Sequence, residues 1–145
     1  MRDRDDRPVG SLAAGVPWTA TVRVLAATFL LVRPDLAGRG SGLGEAATVR
    51  ALLRALGARE AALGLGTLRA WRRHEGVRRW VAVQSVVNAA DSAVFLLAVR
   101  RGDLPRAVGR GHAAFAFTGA VVEAMTWWQL HRAGSRPSTG PDRER

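Results

Sequence analysis

Four stretches of the chain are apolar and Ala- or Leu-rich, and runs of arginine, glycine and proline separate them. The first, VPWTATVRVLAATFLLV from Val16 to Val32, carries one charge, Arg23, and Arg33-Pro34-Asp35 stops it as a helix and as a membrane segment. DLAGRGSGLG, from Asp35 to Gly44, holds four glycines and reads as a loop. From Glu45 to Trp71 the chain is rich in Ala and Leu, with small residues four apart at Gly57/Ala61, Ala58/Ala62 and Ala62/Gly66, a spacing that lets helices approach closely in lipid. Arg50, Arg54, Arg59 and Glu60 interrupt this segment, so its first half suits a position along the membrane surface. WVAVQSVVNAADSAVFLLAV, Trp80 to Val99, is the clearest span, and HAAFAFTGAVVEAMTWWQLH, His112 to His131, follows with one formal charge, Glu123.

The pattern predicts an all-α protein, an antiparallel four-helix transmembrane bundle over residues 16–132. Its helices are expected at about 16–33, 45–71, 79–100 and 111–132. Residues 1–15 and 133–145 are polar, charged and rich in Pro and Gly, and are expected to be disordered tails. A cleaved signal peptide is the rival reading of the first segment, but no A-x-A site follows it.

An up-down order puts the start of the first and third helices and the end of the second and fourth on one side. All five tryptophans, Trp18, Trp71, Trp80, Trp127 and Trp128, fall there, as an interfacial belt would. That side also collects twelve loop and tail arginines against six on the other, or eight with Arg50 and Arg54. The positive-inside rule then places the belt and both termini in the cytoplasm, in a multi-pass membrane protein.

Composition narrows the chemistry. The 145 residues are 48% hydrophobic, too apolar for intrinsic disorder, and the absence of cysteine removes disulfide scaffolds, thiolate zinc sites and thiol enzymes. The net charge of +10 comes from 22 arginines and no lysine, which points to a GC-rich genome as much as to phosphate contact. A soluble, basic helical nucleic-acid-binding protein is therefore an alternative; the one-sided tryptophans argue against it, and no nucleic acid is expected. No serine lies in a G-x-S-x-G elbow, and Gly64-Leu65-Gly66 and Gly40-Ser41-Gly42 lack the rest of any phosphate-binding fingerprint. His74, His112 and His131 lie far apart near segment ends and read as capping or interfacial residues. No enzyme activity, cofactor or metal is expected.

The informative residues are the charges that a bilayer would make costly, about 2.5 to 3.5 kcal/mol each at the centre of a span. Gln84, Asn88 and Asp91 share one face of the third helix. Counted from the tryptophans at about 1.5 Å per residue, Arg23, Gln84 and Glu123 form a shallow tier and Arg59, Glu60 and Asp91 a midplane tier. Equal depth and opposite sign predict Arg23 against Glu123, and Arg59 against Asp91 or Glu60. Such pairs either hold the helices in register or line a polar relay or small-solute cavity formed by Arg59, Glu60, Asn88, Asp91 and Glu123.

Gly57-Ala58-Arg59-Glu60-Ala61-Ala62-Leu63-Gly64, followed by Asn88-Ala89-Ala90-Asp91, resembles the G-x-R-[DE]-x-x-x-G and later Asp pattern of a family of small bacterial four-helix integral membrane proteins of unknown function. The resemblance covers about residues 20 to 130 and implies four spans with Arg59, Glu60 and Asp91 as signature polar residues. Glu60 stands where Asp is commoner, and the arginine-heavy connection between the second and third helices departs from the pattern. The expected role is a membrane-embedded interaction or accessory subunit, with the lipid bilayer, other membrane proteins or a second copy of the chain as partners. A small-solute or proton-coupled transport component is the alternative.

Overall fold

Proline and glycine, more than arginine, set the helix ends. The computed structural model describes residues 14–134, all-helical with no strand among them: α1 Val16–Val32, α2 Pro34–Gly40, α3 Ala47–Arg73, α4 Val77–Arg101 and α5 Arg106–Gly134. The expected tails lie almost wholly outside the described residues, although α5 runs two residues beyond its expected end.

Two expectations are corrected. The stretch from Asp35 to Gly44 is not all loop, because Pro34–Gly40 forms α2, bent by 106° from α1. Pro34 ends one helix and starts the next, as its fixed φ and missing N–H allow. Asp35 sits in the first turn and Arg39 in the last, matching the helix dipole and pairing with each other at 3.6 Å. The arginine-rich connections are also largely helical. Arg69, Arg72 and Arg73 belong to α3, Arg78 and Arg79 to α4, and only His74–Gly76 lies between the two helices. Arginine is a good helix former, so a cluster of charge marks a change of surroundings without ending the helix. The turn is made by His74, left-handed at φ 53°, and Gly76 at φ 72°, while the amide of Glu75 donates to the Ala70 carbonyl at 3.1 Å. His74 is thus the C-cap of α3.

The long helices pack as two intimate pairs, α1 with α3 and α4 with α5, with much looser contact between α3 and α4. No α1 Cα lies within 8 Å of an α5 Cα. Glycine makes each close pairing possible. A Cβ on Gly64 would come 2.9 Å from the Ala20 carbonyl oxygen, and one on Gly57 3.0 Å from that of Ala27, so these two residues, seven apart, seat α1 against α3. This is the working register, rather than the four-residue spacings read from the sequence. On the other pair, a Cβ on Gly119 would stand 2.8 Å from Asn88 Nδ2, and one on Gly109 2.1 Å from Val99 Cγ2. In both pairs contacts that advance along one helix retreat along the other, so the partners run antiparallel.

The pairs meet at one end through Val16, Ala70, Val77, Val81 and Leu130, the start of α1 and α4 and the end of α3 and α5. Trp71 and Trp80 pack on this cluster. Elsewhere the outer surface is apolar: Leu25, Val32, Leu52, Leu65, Val86, Val94, Phe115 and Phe117 are all exposed. Among the described residues one helix, α4, is long and apolar enough to cross a membrane, and α1 with α2 would add a second if that bent pair is one span. α1 alone has 17 residues, α3 is broken by Arg54, Arg59 and Glu60, and the polar residues of α5 dilute its apolar run.

Gly64→Val is expected to destabilise the fold by about 1 to 3 kcal/mol through overpacking against α1. Gly111→Ala, where a Cβ meets nothing within 4 Å, is expected to be neutral or stabilising by up to about 1 kcal/mol. His74→Gly should stabilise by about 1 kcal/mol, since it relieves a left-handed backbone. Loss of helical circular dichroism on heating or denaturant titration in detergent measures all three.

Candidate functional site

Five charged residues and Asn88 form one series of contacts across the four long helices, and because both its ends, Asn88 and Asp91, lie on α4, the series makes a ring through that helix. Arg23 of α1 donates from Nη1 to Glu60 Oε2 of α3 and from Nη2 to Glu123 Oε1 of α5, the latter at 2.7 Å. Glu123 Oε2 accepts from Asn88 Nδ2 of α4 at 2.8 Å. One turn along α4, Asp91 takes both terminal nitrogens of Arg59, Nη1 to Oδ1 at 2.8 Å and Nη2 to Oδ2 at 2.5 Å. Arg59 Nη2 also donates to Glu60 Oε1 at 2.9 Å, which completes the series through α3.

Each link follows from local structure. Glu60 and Arg59 are adjacent on α3 and diverge around the helix, so Glu60 turns toward α1 while Arg59 reaches across to α4. Asn88 and Asp91 share one face of α4 at i, i+3, and that face meets α5 with Asn88 and α3 with Asp91. Gly119 leaves the space into which the Asn88 amide fits beside α5.

Burial differs around the ring. The Arg23, Glu60 and Glu123 side chains are 13%, 14% and 15% exposed, whereas Arg59 and Asp91 are 35% and 26% exposed. Arg23 is therefore the enclosed centre, a guanidinium shared by two carboxylates, and Arg59 with Asp91 is a bidentate clamp at the rim. Two guanidiniums face three carboxylates, so the ring as drawn by its formal charges is one unit negative.

The expected separation into two tiers does not describe this geometry. Glu60, placed at midplane by counting, bridges both arginines, because the reach of a guanidinium spans more than a helical turn. Gln84 stands outside the ring. It is buried and donates from Nε2 to Thr67 Oγ1, and Thr67 in turn donates to the Leu63 carbonyl at 2.8 Å. Sequence reasoning missed Thr67, and a threonine that bonds its own helix carries no mark of a second partner. It also missed Ser85, whose hydroxyl donates to the Ala120 carbonyl at 2.9 Å and ties α4 to α5.

The aromatic residues divide. Trp71 and Trp80 are half-buried against the end cluster, and the Trp80 ring lies over Gly66. Trp18, Trp127 and Trp128 are exposed; Trp127 stacks on His131 at 5.4 Å, and the Arg132 guanidinium stands 3.6 Å over Trp128. At the other end of α5, His112 stacks on Phe95 at 5.0 Å and bonds through Nε2 to the Ser41 carbonyl oxygen at 3.1 Å. No group of three or more His, Asp or Glu among the described residues could hold a metal ion.

Removing Arg23 leaves enclosed Glu123 without a cation and Glu60 with Arg59 alone, so Arg23→Gln is expected to cost about 3 to 5 kcal/mol. Arg59→Gln, at the more exposed rim, should cost less, and its effect should shrink in the Asp91→Asn background with a coupling of about 0.5 to 3 kcal/mol. Unfolding of the purified variants in detergent measures both, and additive single and double variants would contradict the clamp. No family model, curated protein or solved structure matches the chain.

Proposed function

We propose that this chain is a small integral membrane protein whose four long helices lie in lipid as an antiparallel bundle, serving as a membrane-embedded interaction or accessory subunit. The observation that carries the reading is the inverted distribution of polarity. The formally charged residues midway along the helices turn inward to one another, while large apolar side chains cover the outside. Only 22% of the apolar window of α4 is buried, which is the surface of a helix whose solvent is hydrocarbon. A helix buried in the core of a water-soluble bundle would be covered by its neighbours.

On this reading α3 and α5 enter the bilayer because the ring pairs Arg59, Glu60 and Glu123, while Arg54, exposed and outside the ring, sits nearer the start of α3. The arginines at helix ends lie at the two interfaces, where long side chains reach water. Both termini and the tryptophan-rich end face the cytoplasm of a bacterial cell. The resemblance carried by Gly57, Arg59, Glu60, Gly64 and Asp91 agrees with this placement, and adds no activity. A second reading, a small-solute or proton-coupled transport component, draws on the partial exposure of Arg59 and Asp91 at the rim of the ring.

The protein is expected to remain in the membrane pellet through high-salt and alkaline-carbonate washes and to be released by detergent. Release by salt would overturn the reading and favour a basic surface that binds nucleic acid. Reporter fusions at either terminus are expected to score as cytoplasmic. An ion-gradient-dependent activity lost in Asp91→Asn, with the variant still inserted, would favour transport.

A further inference from the structure

Among the described residues exposed, unpaired arginines bracket two turns, α3–α4 and α4–α5, and only the first is flanked by tryptophan. Arg72 and Arg73 close α3, Arg79 follows in the first turn of α4, and all three are exposed and unpaired with any carboxylate among the described residues. On α3 these charges suit the negative end of the helix dipole. On α4 they oppose it, because that helix begins with no side-chain cap and no acidic residue in its first turn. Glu75, in the turn itself, forms no ion pair with them, so three exposed positive charges are left facing out at this end.

Their surroundings say which kind of anion they would meet. Trp71 and Trp80 flank the turn at the level of the end cluster, and Arg132 stands over Trp128 on the neighbouring end of α5. Indole rings settle at the glycerol and headgroup level of a bilayer, so long arginine side chains rooted one or two residues farther out reach the phosphates. The opposite end differs. It has no tryptophan; Arg33 and Arg39 are occupied by Asp35 and Glu45, and Arg100, Arg101, Arg106 and Arg110 are exposed there with no indole to set them at the headgroup level.

We propose that the α3–α4 turn is a docking surface for the headgroup phosphates of anionic phospholipids, selected over zwitterionic ones by Arg72, Arg73 and Arg79. The proposal rests on the membrane reading above and adds the class of lipid and the end of the molecule that binds it.

The tryptophans make the test direct. All of them lie toward this end, so intrinsic fluorescence reports contact there and not at the other. The full chain is reconstituted in mixed phosphatidylcholine and phosphatidylglycerol vesicles in which one or the other lipid is brominated. Brominated phosphatidylglycerol is expected to quench the tryptophans beyond its share of the mixture. Arg72→Gln, Arg73→Gln and Arg79→Gln combined should reduce that preference, by about fivefold for each arginine removed until it reaches parity. Arg100→Gln, Arg101→Gln and Arg106→Gln combined, at the opposite end, should leave it unchanged. Equal quenching by the two lipids in the natural sequence would overturn the proposal, as would equal losses in both triple variants. A preference abolished by added duplex DNA would overturn it in favour of nucleic acid. Absence of quenching by either lipid would instead mark failure of the membrane reading itself.

Discussion

The Arg23 guanidinium, held between Glu60 and Glu123, is the contact on which the arrangement of the helices depends. The α1–α3 and α4–α5 pairs are each built by close approach at glycine. Between the pairs, backbone contact is sparse, and none joins α1 to α5 within 8 Å. Arg23 crosses that gap, Arg59 crosses the one between α3 and α4, and the small apolar cluster at the tryptophan end completes the seam. A guanidinium suits the position because its planar fork serves two carboxylates in different directions, which an ammonium on a flexible stem does less well.

Ion pairs with so little surrounding polar surface are a poor source of stability in water, where desolvation offsets most of their attraction. They make better sense as a device of registry. An apolar face can slide or rotate against another with small loss, whereas a bidentate pair fixes height and rotation together. In hydrocarbon the argument strengthens, since the separated helices would carry each charge unpaired. The proposed membrane setting and the ring thus explain one another: lipid makes inward pairing compulsory, and inward pairing lets charged helices be lipid-facing elsewhere.

Much of this was legible in the order of residues. The positions of the four long helices followed from apolar runs, and opposite charges at similar distance from the tryptophans pointed to Arg23 with Glu123 and to Arg59 with Asp91 or Glu60. Depth counting resolved less. It places Cα atoms along an axis, and so it assigned Glu60 and Arg23 to separate levels, although an arginine side chain spans the difference. Helix ends are obscured where arginine looks like punctuation, and α2 is hidden because its glycines suit a loop and Pro34 a stop, although Pro34 and Asp35 equally suit a helix start.

Sequence alone determined the class of the protein: all-helical, cysteine-free, arginine-rich at the helix ends, with a few charges in the middle of apolar segments. Composition and periodicity act locally, and these properties are local. Tertiary structure decided which helices pair closely, that Gly57 and Gly64 rather than the four-residue repeats make the approach, and that Thr67 and not a charged residue receives Gln84. It also joined five charged residues and one amide into a single series of contacts that begins and ends on α4. Those outcomes depend on rotation about each helix axis and on side-chain reach, and neither is written in the spacing of residues along a single helix.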